Sequence, residues 1–361
     1  ACVLALLRAG ANPMAVGKYD TTPLHIACEK GHAACVRALL GARADTEAAN
    51  AYRVTPLYAA CRGGHGACVQ ALLEAGANTE AADKDGWTSL FVASNSGNEA
   101  CVLMLLAAGA NVNTVNALDC TPLHAASGAG LEACVRALIR AGADTDAASA
   151  TRATPLHMAC QSGHEACVAA LLDAGAEKDA VNAEGQTPLF VASTAGNTSC
   201  VRLLLEAGCR TDVRDVMSWT PLHAACWHSQ DTCVRVLAEA GADVESVAVV
   251  GHTPLHCACA RGSDLCVRAL LQAGANKEAV NAEGATPLLT ACAHRSDECV
   301  RTLLCADANV VSVDVQGRSP LHTACRTDNT LCTRALLSSG AHRSIDPPLY
   351  VRGVSLTCAW L

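Results

Sequence analysis

Aromatic side chains are scarce in this 361-residue chain: four Trp, four Tyr and two Phe, 3% of the residues. A single thick core draws much of its buried area from aromatics, so their shortage argues against one large globule. An excess of positive charge is also missing, because 26 Lys and Arg face 34 Asp and Glu, for a net charge of −8. Nucleic acids and anionic membrane surfaces are held by clustered positive charge, so no nucleic-acid partner is expected. No apolar run approaches the ~20 residues that span a bilayer, so no membrane insertion is expected. Residues 1–7 are apolar but lack the basic n-region of a signal peptide, and they match a segment that recurs along the chain.

What is present is 51% apolar residues, mostly Ala, Leu, Val and Cys, with 23 Cys. Disulfide frameworks belong to small, loop-rich secreted domains. This chain is neither, so its thiols are read as reduced and its compartment as intracellular and cytoplasmic.

The residues repeat. Pro23, Pro56, Pro122, Pro155, Pro188, Pro221, Pro254, Pro287 and Pro320 fall on one 33-residue grid, with Ser89 in the vacant place. A second grid runs from Cys2, Cys35 and Cys68 through to Cys332 without a slip. Each unit reads like Thr22-Pro23-Leu24-His25-Ile26-Ala27-Cys28, then Gly31-His32, then Ala34-Cys35-Val36-Arg37-Ala38-Leu39-Leu40. Thr before Pro is an N-cap followed by the residue best suited to the first helical turn. Gly31 ends that helix. A second helix follows, with Cys35, Val36, Leu39 and Leu40 on one face. One such pair cannot bury its apolar faces alone, whereas a stack of pairs can.

In its repeat length and its Thr-Pro-Leu-His-x-Ala signature the chain resembles the ankyrin repeat family. The resemblance spans about residues 1–340. It implies an all-α ankyrin-repeat solenoid of stacked helix-turn-helix units with β-hairpin or loop fingers. Residues 1–16 would hold a partial repeat (its second helix only), 17–343 ten repeats in one solenoid, and 344–361 a degenerate tail or truncated repeat. The opening inside a second helix, and a tail carrying Pro347-Pro348 and Trp360-Leu361, read as a piece of a longer protein. The pattern departs locally. The His place holds Tyr58, Phe91, Phe190 and Leu289; the loop Gly gives way to Ser229, Arg295 and Asp328; the Gly after the second helix gives way to Arg43 and Asp307. Lost caps at about 1 kcal/mol each mark repeats seven, nine and ten as softer. Phe91-Val92-Ala93-Ser94 returns 99 residues later from Phe190, and Asn182-Ala183-Glu184-Gly185 returns from Asn281. Three repeats duplicated as a block would present similar patches every third repeat.

Candidate chemistry is thin. Cys-x-x-Cys is absent. Equivalent Cys in adjacent repeats would lie roughly 8–10 Å apart, too far for a disulfide, so core packing is favoured over metal storage or redox use. Cys120 and Cys209 lie off the grids and are the better candidates for reactive thiols. The signature histidines His25, His124, His157, His223, His256 and His322 are read as structural, since in the resembled family this residue ties loops together. Arg202, Arg235, Arg268, Arg301 and Arg334 would line the second helix, with Glu206 and Glu239 as i+4 partners. No nucleotide or zinc-protease motif occurs, so no enzyme activity, cofactor or metal is expected.

The resemblance implies a non-catalytic protein-protein interaction scaffold or adaptor. It would be a monomeric array binding one or more proteins through finger tips and exposed first-helix positions. The alternative is the substrate-recruiting portion of a larger protein such as a ubiquitin ligase, kinase or ion channel. Tyr19, Tyr52, Trp87 and Trp219 fall in finger positions, and Trp227 near the end of a first helix. The densest group is Met217, Trp219, Trp227 and His228, extended by Val249, Val250, His252 and Arg261. A second group is Tyr19, Tyr52, Arg62 and Trp87.

Overall fold

Thr22 opens its helix as the sequence predicts. It is extended (φ −89°, ψ 163°), its side chain accepts the His25 N–H, and Pro23 occupies the first turn. The same cap, with Thr or Ser, recurs at each first helix from Thr55 to Ser319. The computed structural model describes residues 2–341; the tail 344–361 lies outside them. Among the described residues there are twenty-one α-helices of seven to nine residues and one 3-10 turn at Lys18–Asp20. Short first helices, such as Pro122–Gly128, alternate with nine-residue second helices, such as Glu132–Arg140.

Two compact units divide between Ala183 and Glu184. In the first, first helices from Pro23–Glu29 to Pro155–Ser162 stack on one another. Second helices from Cys2–Arg8 to Glu165–Asp173 do the same. In the second unit the first helices run from Pro188–Ala195 to Pro320–Arg326 and the second helices from Thr198–Glu206 to Thr330–Ser338, again like on like. The layers between them are thin and aliphatic. Leu24, Leu123 and Leu189 are fully buried beneath the signature, as are Val36, Val135 and Val267 in the second helices. Fully burying such a side chain is worth about 1.5–3 kcal/mol.

The fingers take the loop form. Among the described residues the only β feature is an isolated bridge between Ala82 and Thr88. The tips are organised by one side chain each. Asn50 Oδ1 accepts from the Tyr52 and Val54 N–H groups (2.8 and 3.1 Å), and Asp83, Asn116, Asp215, Asn281 and Asp314 do the same in their own fingers. With two donors held by the tip side chain, each finger keeps a backbone closure at its base, such as Asn50 N–H to Val54 carbonyl and Asp83 N–H to Trp87 carbonyl (both 3.1 Å). Successive fingers are joined by one bond per step, such as Ala117 N–H to Asp85 carbonyl (3.0 Å) and Ala282 N–H to Val250 carbonyl (3.1 Å).

Left-handed turns follow the first helices. Ser229, Arg295 and Asp328 adopt positive φ (59°, 59° and 52°) where other repeats use Gly, and so do Arg43 and Asp307. The strain therefore sits at the expected positions. Packing adds a second demand at the loop. A Cβ on Gly130 (φ 73°) would lie 2.5 Å from His164 Nδ1 of the next repeat, whereas one on Gly142 (φ 86°) would meet nothing within 4 Å. The pair separates conformation from contact. Gly142→Ala should cost about 1 kcal/mol for the left-handed backbone alone. Gly130→Ala should cost roughly 2–4 kcal/mol, since the imidazole must also move. Urea unfolding of the two variants checks this; equal losses would mean that the His164 contact carries no constraint.

Candidate functional site

The signature histidines join repeats. In His25, Nδ1 accepts from the Thr22 N–H (3.2 Å) and the Nε2–H donates to the Val54 carbonyl of the next finger (2.9 Å). His124, His223 and His256 repeat the bridge to Ala153, His252 and Ala285 at 2.9–3.0 Å. An acceptor Nδ1 needs the neutral ring. Burial lowers the pKa of His25 and His124 and brings His223 and His256 down to about 4. These rings have partners on both nitrogens and are structural. Where Tyr58 replaces His, its hydroxyl donates to Asp83 Oδ2 (3.1 Å), another cross-repeat link.

The thiols pack rather than react. Cys28, Cys61, Cys226, Cys259 and Cys299 are wholly buried free thiols. Burial pushes Cys28 and Cys299 up to about 12, and Cys134 and Cys266 to about 11. Their close approaches are not between equivalent positions. A first-helix thiol lies near the second-helix thiol of the next repeat, as in Cys61 and Cys101 or Cys28 and Cys68. The two thiols singled out as reactive are corrected here. Cys209 is 8% exposed. Cys120 is half-buried, its pKa raised by burial and then by Asp119. The exposed thiol among the described residues is Cys305, at the end of the helix Asp297–Cys305. Its distance from both grids was a visible signal, but only the structure shows that it faces water.

In the first unit, Tyr19 and Tyr52 are exposed, with ring centroids 5.9 Å apart. Lys18 lies 4.7 Å above Tyr19 and Lys84 6.0 Å from Tyr52. Tyr52 and Arg62 line a cleft of about 480 Å³ together with Tyr58, Asp83, Lys84 and Glu29. Trp87 is drawn out of this group: it is half-buried and packs on Phe91, centroids 4.8 Å apart and the rings tilted at 41°.

In the second unit, Trp219 stands at the base of a finger, its N–H donating to Asp215 Oδ1 (2.8 Å). Trp227 ends the first helix Pro221–Trp227. The structure brings them together edge to face, centroids 5.3 Å apart at 65°, both half-buried. Arg261 of the next repeat lies 5.1 Å above Trp227, and its Nε–H donates to the Trp227 carbonyl (3.0 Å). Met217, Val249 and Val250 stand on adjacent finger tips, 57%, 65% and 52% exposed. His228 is exposed beside Trp227. His252 belongs partly to the interior, stacked on His256 at 5.7 Å with its pKa lowered by burial. Two neighbours escaped the sequence reading. Val216 is 69% exposed, and Arg214 donates to the Ser218 and Val247 carbonyls, tying one finger to the next.

The arginine ladder pairs in the opposite direction to that expected. Arg235 meets Asp231, not Glu239, at 3.3 Å, and Arg268 meets Asp264 at 3.3 Å. Asp at the first turn also faces the positive end of the helix, which favours this choice. The 99-residue period records packing more than surface. Phe91 and Phe190 are each 4% exposed, and Gly185 and Gly284 each press on the backbone of the next finger.

A family model described as ankyrin repeats (3 copies) matches residues 1–83, 42–116, 90–182, 174–248, 242–314 and 276–348. The chain belongs to the ankyrin repeat family, which supplies protein-protein interaction modules. Among solved structures it is similar to the human ASB11 ankyrin repeat domain, with 30% identity and a TM-score of 0.56, over 63% of this chain and 100% of that one. No curated protein matches it. No helix among the described residues is long and apolar enough to cross a membrane.

Two measurements follow from the buried groups. For the histidines, the folded pKa lies below the ordinary 6.5. Below that pH the unfolded chain binds the proton first, so stability is present above about 6.5 and is lost as pH falls toward 4. The melting temperature should fall between pH 6.5 and 5, before most carboxylates titrate; a flat profile to pH 5 would contradict the bridge. For the thiols, brief alkylation followed by peptide mapping should label Cys305 well before Cys120 or Cys209. Earlier labelling of Cys209 would contradict its burial.

Proposed function

We propose that this chain is a non-catalytic scaffold or adaptor that binds partner proteins through its finger tips and first-helix ends. Its main anchor in the second unit is the group Trp219, Trp227 and Arg261, flanked by Met217, Val250, His228 and His252. The cleft at Tyr52 and Arg62, with Tyr19 beside it, is a lesser contact in the first unit; Trp87 supports that finger from behind. The observation that carries this reading is a pair of half-exposed Trp rings held edge to face, with an Arg stacked on one of them. Trp, Tyr and Arg dominate binding hot spots. A pre-set pair loses little side-chain freedom when a partner docks. Ring packing alone accounts for only about 0.5–1.5 kcal/mol, so two large rings left half in water are poorly explained by stability.

The test compares two losses. Partner capture from lysate with the intact chain, repeated with Trp219→Ala/Trp227→Ala, should show binding weakened by roughly a hundredfold, the scale of two hot-spot residues. The same variant should melt closer to the parent than Leu222→Ala does, because a buried Leu truncation costs roughly 2–5 kcal/mol. A stability loss as large as that of Leu222→Ala, with binding retained, would place the rings in the core and defeat the proposal.

A further inference from the structure

The five first helices of the second unit end in a run of residues that contains no acid. The last two positions before each loop are Thr194-Ala195, Trp227-His228, Ala260-Arg261, Ala293-His294 and Arg326-Thr327. Arg295 follows His294 in its loop. His228, Arg261, His294, Arg295 and Arg326 are all exposed. Arg261, Arg295 and Arg326 make the strip positive in a chain whose net charge is −8, so it is a local departure from the overall balance. Of the matching ends in the first unit only Arg62-Gly63 is cationic; Glu29-Lys30 is mixed, and Asn95-Ser96, Gly128-Ala129 and Gln161-Ser162 are neutral.

Asp328, two residues after Arg326, is exposed, and the other carboxylates nearest in sequence are engaged elsewhere. Asp231 pairs with Arg235, Asp264 with Arg268 and Glu298 with Arg301, all within second helices. Asp297 accepts from Asn329 and from the Cys332 thiol. Asp314 holds Arg318 and two backbone N–H groups of its own finger. Arg261 and Arg326 form no ion pair among the described residues. The one hydrogen bond that Arg261 makes uses Nε, and a guanidinium carries five N–H donors, so the rest of the fork faces solvent. Glu283, on a neighbouring finger, also remains, and its charge acts on His252.

The finger tips of the same unit carry apolar surface. Val216, Met217, Val249 and Val250 are exposed on consecutive finger tips. The Trp219–Trp227 pair stands between the two zones, at a finger base and a helix end.

We infer that the second unit recognises an acidic, amphipathic protein segment, one that sets an apolar or aromatic side chain against Trp219 and Trp227 and carboxylates against Arg261 and Arg326. This deepens the proposed scaffold reading and rests on it. A carboxylate on Arg261 can be held by two N–H groups, beside the Trp227 ring over which the guanidinium lies. The apolar tips favour a protein over a nucleic acid, which would need positive charge on that side as well.

The experiment pans a displayed library of random 16-residue peptides against the intact protein and, in parallel, against Trp219→Ala/Trp227→Ala. Peptides enriched on the parent and lost on the variant should carry a net negative charge and at least one Leu, Phe or Trp. Synthetic copies should bind at least tenfold more weakly when their Asp and Glu are replaced by Asn and Gln. They should lose a similar factor on Arg261→Glu/Arg326→Glu, and in 300 mM rather than 50 mM salt. Enriched peptides that depend on the two Trp but are neutral or basic would overturn the acidic assignment and leave the binding patch standing. No peptide that distinguishes parent from variant would remove the patch, and this inference with it. Tighter binding of a thymidine oligonucleotide than of any enriched peptide would transfer the surface to nucleic acid and overturn the inference as well.

Discussion

No helix pair in this protein can bury both of its apolar faces by itself. Leu24, Leu123 and Leu189 are dry only because the next first helix covers them, and Val36, Val135 and Val267 because second helices stack likewise. Everything else follows from that dependence. The 33-residue phase is kept because a slip would rotate each apolar face away from its neighbour. The histidine bridge is one of several ways to bond across the step. Tyr58 substitutes a hydroxyl-to-carboxylate bond for it, and Phe91 and Phe190 substitute buried ring area. What the step requires is coverage, and a bond to the next finger is added where the side chain carries a donor.

Cysteine fits the same constraint. The sixth position after the N-cap holds Cys in most repeats and Ser at Ser94, Ser127 and Ser193. The Ser193 hydroxyl turns back to the Leu189 carbonyl (2.7 Å). Those of Ser94 and Ser127 are buried with no hydrogen-bond partner among the described residues. An unpaired buried hydroxyl costs about 1–3 kcal/mol, whereas a thiol of similar shape is a weak donor that tolerates apolar surroundings. The abundance of Cys is thus explained by volume and low polarity. The upward pKa of the buried thiols is the electrical consequence of that placement.

The repeat, its caps, the two helices and the strained turns at Ser229, Arg295 and Asp328 were legible because each depends on residues close in sequence. The loop form of the fingers was not, since the spacing does not show that Asn50 and Asp83 each bond to two N–H groups of their own finger. Arg235 was placed on the right helix but given the wrong partner, because Asp231 and Glu239 are equally spaced from it and only helix polarity separates them. The nearness of Cys61 to Cys101 was missed for a related reason. Phase tells which positions are equivalent, while contact joins positions that are not. For the candidate site, the grid put Trp219 and Trp227 in exposed positions but could not show that their rings touch or that Arg261 covers one of them.

The same logic explains why binding residues gather where they do. Positions that face a neighbouring repeat are committed to small aliphatic side chains or thiols, so variation is confined to finger tips and the ends of first helices. An aromatic there is free of the stacking requirement, yet it is not free to move: Trp219 is anchored through Asp215, and Trp227 lies under Arg261. A rigid support of this kind lets a large ring stay half in water without collapsing onto the surface. The charges around it are then held at set distances by the repeat spacing, one helix end per step. Discrimination between partners depends on the sign and order of those charges more than on apolar area, since apolar tips recur along the fingers while the unpaired arginines occur in only a few repeats.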